Sequence, residues 1–302
     1  MRIGIWGTSK ITSFHIDALR QITQVQIVAI HGGHSESGKI ISIQNGIPFF
    51  HNCEDFLSQK LDVIIITNSV DKHWPSIQAA ANMCKTVICE KPIFFNRDQY
   101  LRMVTDCGPT NIFVVSQKKY NSDFLKFKKI VRKVENLKQI KIKIKKKRDE
   151  VYFAKSGPSK QLVFSQLPHA IDLMWELTSE KLAFDSVVAR KIKSHTGFDF
   201  IEVRLRGNSL FGIIEIESFH SKNFPYQIIV TTPTQELTHP SLPNFLKRYL
   251  PFQKSKRDII VEEFKLMYLD FFNKISKGQV GADDIITKSD LLTHVVEEIN
   301  RL

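Results

Sequence analysis

Hydrophobic positions in the first 116 residues fall into short continuous runs separated by amphipathic stretches. "RIGIW", "VQIVAIH", "DVIIIT", "TVICE" and "NIFVVS" are apolar on both faces, which suits parallel strands covered by helices on either side. Between them, "KITSFHIDALRQI" sets Ile11, Phe14, Ala18, Leu19 and Ile22 on one helical stripe, and "HWPSIQAAANM" and "NRDQYLRMVTD" share that spacing. Strand and helix in alternation predict βαβ units and a doubly wound parallel sheet with right-handed crossovers. "GGHSESG", after the second run, reads as a turn.

The rhythm changes after Ser116. A basic helix leads into residues 140–145, where Ile and Lys alternate strictly, the period of a strand with one dry and one wet face. That row of lysines reads as a solvated face or a protected edge. "AKSGPSK" is irregular, and "LPHAIDLMWELTS" is helical. "FDSVVARKI", "FDFIEVRLRG", "SLFGIIEIESF" and "YQIIVTTP" are strands joined by short turns, hence a largely antiparallel sheet. From about Asp258 the tail is helical, with Phe264, Tyr268, Phe271 and Phe272 as a core-facing stripe. The fold class is therefore α/β: a doubly wound parallel sheet over residues 1–118, then an α/β domain over 119–302 with an open, mostly antiparallel sheet.

Composition narrows the function classes. With 302 residues, 42% hydrophobic and 25% charged, the chain is that of a folded globular protein. No apolar run approaches the roughly 20 residues that cross a bilayer, so no membrane partner is expected. Cys53, Cys84, Cys89 and Cys107 lie in the first third without metal or redox spacing, which points to reduced thiols, a cytoplasmic protein and no metal. The formal charge of +12 favours anionic small-molecule partners. No aromatic residues interleave with the lysines between Lys126 and Arg148, so nucleic acid is not expected.

The first strand ends in Gly7-Thr8-Ser9-Lys10-Ile11-Thr12, a weakened form of the G-x-G-x-x-G turn that sets backbone N–H groups against a pyrophosphate. Ser9 and Thr12 stand where small residues are usual. The acidic residue that commonly holds the adenosine ribose is missing from the end of the second strand, which reads His31-Gly32-Gly33-His34-Ser35. Its absence, with His34, Ser35 and Lys39 nearby, favours NADP over NAD.

Together with "DVIIITNSVDKHWPSIQAA" and "TVICEKPI", this turn resembles the glucose–fructose oxidoreductase / inositol dehydrogenase (Gfo/Idh/MocA) family. The likeness is clear over roughly the first 130 residues, patchy to about 178 and thin beyond. It implies an N-terminal Rossmann domain, an NAD(P) cofactor and hydride transfer between nicotinamide and a carbinol or ketone carbon of a sugar or sugar derivative, anionic ones such as sugar nucleotides included. Gly7, Thr8, Ser9, Lys10, Ile11, His34, Thr67, Asn68, His73, Glu90 and Lys91 then face the cofactor. Lys91, whose φ-fixing neighbour Pro92 disfavours helix before it, matches the lysine that polarises the reacting oxygen. His169, in "PHAIDLMWEL", matches the proton-shuttling histidine. Lys119, Tyr120, Gln166 and Asp172 join Lys91 and His169 around the substrate, with Lys118 and Asn121 at the crossover. The chain departs from the family at Ser165, where an aspartate is usual, so a rival expectation is a catalytically impaired member that serves as a cofactor-binding regulator or scaffold. The family assembles through its second domain. Here the row Lys141, Lys143 and Lys145 predicts a monomer, or a homo-oligomer in which those lysines stay wet.

Overall fold

The computed structural model describes residues 1–32, 36–93, 97–107, 110–147, 158–178, 180–191, 198–220, 226–239, 255–279 and 282–301. They divide into two compact units, residues 1–117 with 254–289, and residues 118–253 with 290–302.

In the first unit, strands β1 (Arg2–Trp6), β2 (Gln26–His31), β3 (Phe49–Phe50), β4 (Val63–Ile66), β5 (Thr86–Cys89) and β6 (Asn111–Val114) form one sheet of order β3-β2-β1-β4-β5-β6. Every pair in it is parallel. This is the doubly wound order with its reversal between β1 and β4, where ligands lie beyond the carboxyl ends of the strands. Helices α1 (Thr12–Leu19), α2 (Glu36–Asn45), α3 (Cys53–Leu57), α4 (His73–Ala81) and α5 (Arg97–Asp106) make the crossovers. One face of the sheet buries Ile64, Ile66, Val87, Cys89 and Ile112 against Trp74, Ile77 and Ala80 of α4 and Met103 of α5. The four cysteines are free thiols, three of them buried.

Two elements of this unit differ from the expectation. Residues 36–45, within and beyond the stretch read as a turn, form α2; its buried positions are Gly38 and Ser42, while Ile40 and Ile43 point outward, so no apolar stripe marks it. The helix α8 (Lys256–Ser276), assigned above to the second domain, packs on α1 of the first unit. Its aromatic stripe explains this. Phe264 meets the His15 ring at 4.4 Å between centroids, and Phe271 stacks on Phe113 of β6 at 4.9 Å. Arg257 pairs with Asp17 and lies over the Phe14 ring. Ser255 opens α8 with a reciprocal capping box to Asp258.

The second unit is built on a mixed, mostly antiparallel sheet of order β12-β11-β7-β10-β9-β8. Its strands are β7 (Gln139–Lys147), β8 (Ala183–Arg190), β9 (Phe200–Arg206), β10 (Phe211–His220), β11 (Gln227–Thr231) and β12 (Glu236–His239). Only the β7–β10 pair is parallel. Helix α6 (Ser122–Val131) precedes the sheet, and α7 (Pro158–Leu177) packs across β7 and β10. The helix starts nine residues earlier than "LPHAIDLMWELTS" suggested and runs through Pro168. A proline at its first position has no N–H to lose there and a φ already set for helix.

The Ile/Lys strand β7 is interior, not an edge: it lies between β10 and β11. Ile140, Ile142 and Ile144 are buried. On the opposite face Lys141 meets Glu215 at 2.6 Å and Lys145 meets Glu217 at 3.9 Å, both from β10. The lysine row is therefore matched by carboxylates at the same period on the next strand. The last helix, α9 (Ala282–Arg301), brings His294 onto Phe184 of β8, with ring centroids 4.6 Å apart.

Candidate functional site

The turn after β1 needs glycine at position 7. Its φ is +137°, and a Cβ there would sit 2.3 Å from the Asn68 nitrogen and 2.5 Å from the Thr67 carbonyl carbon. That close approach seats the turn on the exit of β4, and hydroxyls fasten it. Ser9 Oγ donates to the Thr67 carbonyl at 2.7 Å, and Thr12 Oγ1 and Thr67 Oγ1 are 2.8 Å apart. The hydroxyls of the departures from the glycine pattern, Ser9 and Thr12, thus serve the turn itself. Thr8 packs over Gly32 at the end of β2, Lys10 is exposed, and Ile11 is the N-cap position of α1, whose first turn has no acidic residue.

The end of β2 offers no carboxylate. His31 is turned inward, edge-on to Trp6 at 5.2 Å and bonded through Nδ1 to the Phe50 carbonyl at 2.9 Å; burial holds its pKa below the usual histidine value. Lys39, on α2, pairs with Glu36 at 2.9 Å. His34 and Ser35, expected at the ribose, lie outside the described residues.

Beyond β4 and β5 lies a buried polar network centred on Glu90. Glu90, 8% exposed, extends the ladder by donating its N–H to the Ile66 carbonyl at 2.9 Å. One carboxylate oxygen lies 3.0 Å from Nε2 of His15, and the other accepts the Lys91 N–H at 3.2 Å. His15 Nδ1 in turn meets the Tyr268 hydroxyl from α8. Burial favours the protonated acid, but the His15 hydrogen bond and the His15 and Lys91 charges outweigh it, so Glu90 ionises below the usual carboxylate range. Burial and the Glu90 charge push the Tyr268 phenol well above its ordinary value, so it stays protonated. Lys91, half-buried, follows directly and is joined to Pro92 by a cis peptide bond.

His73, expected at the cofactor, opens α4. Its ring is 1% exposed and spans two backbone carbonyls, Pro92 at 2.8 Å from Nδ1 and Asn68 at 3.1 Å from Nε2. Burial lowers its pKa against the opposing pull of both carbonyls. The ring braces the β5 exit against the β4 exit. Asn68 Nδ2 donates to Ser76 at 2.7 Å, which leaves its buried Oδ1 without a partner among the described residues; Gln117 Oε1, just beyond β6, is in the same condition. Two orphan acceptors flanking Lys91 along the carboxyl edge suit a ligand with N–H or O–H donors. A turn that seats backbone on backbone, a helix start free of acid and these acceptors together fit a dinucleotide.

In the second unit, α7 presents Gln166, His169 and Asp172. His169 is 6% exposed, and Asp172 lies one turn on. Ser165, where the carboxylate was missed, accepts from Gln166 Nε2 at 3.2 Å. Tyr226, which the sequence reading did not single out, donates to Gln166 Oε1 at 3.4 Å. Lys119 is committed to Glu176 on the same helix at 3.2 Å, with Lys128 on the other oxygen, and the two ammonium groups hold Glu176 down to about 2 against its burial. Tyr120 lies under the Lys119 amine at 5.5 Å. Asn121 is the cap of α6, its Oδ1 accepting from the Asp123 and Phe124 N–H groups.

Comparisons with known proteins bear on these features. Residues 1–115 match the model of the oxidoreductase family with an NAD-binding Rossmann fold. A myo-inositol 2-dehydrogenase of Thermotoga maritima is 23% identical over 135 residues, which covers 43% of this chain and 40% of that relative. The chain thus matches well under half the length of that curated relative. Among solved structures, myo-inositol 2-dehydrogenase from Lactobacillus plantarum superposes with a TM-score of 0.84 at 17% identity, covering 100% of this chain and 97% of that one. The scyllo-inositol dehydrogenase of Lactobacillus casei, solved with NAD(H) and scyllo-inositol, gives 0.82 at 14%, with coverage of 100% and 97%. At such identities the structural likeness carries the fold.

Proposed function

We propose that this chain, which belongs through residues 1–115 to the Gfo/Idh/MocA family of NAD-binding oxidoreductases, is an NAD(P)-dependent dehydrogenase or reductase acting on a CH–OH carbon of a sugar-like polyol. The observation that carries the reading is the place of Lys91: a half-buried lysine just beyond the carboxyl end of β5, its N–H held by the ionised Glu90 carboxylate. Bound nicotinamide supplies the hydride acceptor or donor. Lys91 hydrogen-bonds the reacting oxygen and stabilises it as negative charge develops. Glu90 favours the protonated form of that amine. His169 accepts the hydroxyl proton, a role taken from the family resemblance and compatible with histidine chemistry near neutral pH. Gln166 and Asp172 orient substrate on the same helix face. Lys119, held by Glu176, contributes positive field and not a free hand.

The missing carboxylate at the end of β2 favours NADP, whose ribose phosphate meets no opposing charge there. Titration with NADH and NADPH, followed by fluorescence quenching, tests both points. Binding of neither overturns the reading, and a turnover screen of inositols and sugar acids then follows. Free buried thiols suit a reducing compartment. The carboxylate partners of Lys141 and Lys145 reduce the charge penalty behind the expectation of a monomer, or of a homo-oligomer with the lysine row wet. We take a homo-oligomer through that face as the assembly, and sedimentation as a monomer at micromolar concentration contradicts it.

A further inference from the structure

Tyr268 and His15 are 253 residues apart, yet they end on one carboxylate. His15 and Tyr268 are 0% exposed and Glu90 8%, all within the first unit. Glu90 is ionised and can only accept, so His15 gives it the Nε2 proton, while Nδ1 and the Tyr268 hydroxyl share the second hydrogen bond, which either can donate. The chain runs from the Tyr268 hydroxyl to His15 and from His15 Nε2–H to one Glu90 oxygen, and the Lys91 N–H donates to the other. Its end is the backbone of the residue on which the proposed chemistry rests, and its start is on α8, a helix that returns to this unit after the whole second sheet.

Resting on the dehydrogenase reading above, we infer that His15 and Tyr268 are positioning residues for Lys91, acting through the Glu90 carboxylate. Packing around the chain is a separate matter: Phe272 stacks on the Tyr268 ring at 5.7 Å but makes none of these hydrogen bonds. A hydroxyl deletion and a ring truncation therefore separate the relay from simple burial.

The test uses the full chain, reductively methylated with carbon-13 formaldehyde, with Lys91→Arg to assign the Lys91 signal. Among the described residues the other charged or titratable groups around Glu90 are His15, Lys91, His73, Tyr268 and the buried Cys89 thiol, and none is altered in the control Phe272→Leu. Glu90→Gln removes the neighbouring negative charge and is expected to lower the midpoint of the Lys91 titration. Tyr268→Phe is expected to displace the Lys91 signal and midpoint in folded protein, and to reduce turnover through kcat with NADH affinity within about threefold of the parent, as loss of transition-state positioning requires. Phe272→Leu should leave the signal in place. A Tyr268→Phe protein with an unmoved Lys91 signal overturns the inference, as does an equal displacement in Phe272→Leu. The amine titration needs no cofactor, so failure of NADH and NADPH to bind the parent removes the dehydrogenase reading while the coupling is still read.

Discussion

Replacing Gly7 by alanine attacks the turn at its tightest point, and Gly46 supplies the comparison. Both have φ in the region that glycine tolerates, +137° and +61°. A Cβ at Gly46 meets nothing within 4 Å, whereas at Gly7 it lies 2.3 Å from backbone nitrogen of Asn68. Gly46→Ala should therefore cost only the conformational penalty, about 1 kcal/mol. Gly7→Ala adds overlap with main chain that no rotamer relieves, roughly 1–3 kcal/mol more on the scale of overpacked sites, besides strain of similar size. Relief would require the turn to lift from β4, breaking the Ser9–Thr67 and Thr12–Thr67 contacts that fasten it. The first unit therefore loses about 3 kcal/mol or more and, with it, its NADH affinity. In a Trp175→Phe background the fluorescence reports Trp6 and Trp74, both in that unit, so urea unfolding reads its stability directly. Gly7→Ala unfolding within about 1 kcal/mol of Gly46→Ala, with quenching by NADH unchanged, would refute the argument.

Other outcomes follow from the same contacts. Lys91→Ala should lower kcat by roughly 10²–10³ with NADH binding retained, the scale for loss of one preorganised charge donor; a loss under tenfold speaks against its role. Glu176 is depressed from 4.5 to about 2, so its stabilisation is full above the unfolded value and fades as pH falls from about 4.5 toward 2. Glu176→Gln should remove on the order of 3 kcal/mol from the second unit at neutral pH, the equivalent of that shift, and flatten the acid limb of its denaturation curve. Ser255→Ala should cost about 1 kcal/mol in thermal unfolding of the first unit by uncapping α8.

The parts of this molecule that were legible in the sequence are those whose signal is local. Four consecutive buried residues in β4 and in β5 announce covered parallel strands. Glu90-Lys91-Pro92 stands out because a charged pair has no place in such a run. Residues 36–45 gave no helical signal because α2 buries only a glycine and a serine, while Ile40 and Ile43 face outward. The alternation of β7 by itself allows a solvated face or a protected edge, although its partner was written in the sequence: the Ile/Glu alternation of residues 214–217 has the same period and opposite sign. In the parallel register Ile213 faces Lys141, Glu215 faces Lys143 and Glu217 faces Lys145. Each carboxylate then reaches a lysine on β7, so alternating runs of opposite charge predict neighbours that a single strand cannot reveal. The aromatic stripe of α8 identified a core but not which one, since periodicity says that a face is buried and nothing of what covers it. The Tyr268–His15–Glu90 chain has the same cause at greater separation. His15 sits in an ordinary amphipathic pattern, and only the return of α8 to the first unit gives its ring a phenol on one side and a carboxylate on the other. What the fold adds to the sequence at this site is the partner of a buried charge, and a buried carboxylate with its partners chosen is what holds the Lys91 backbone in one place.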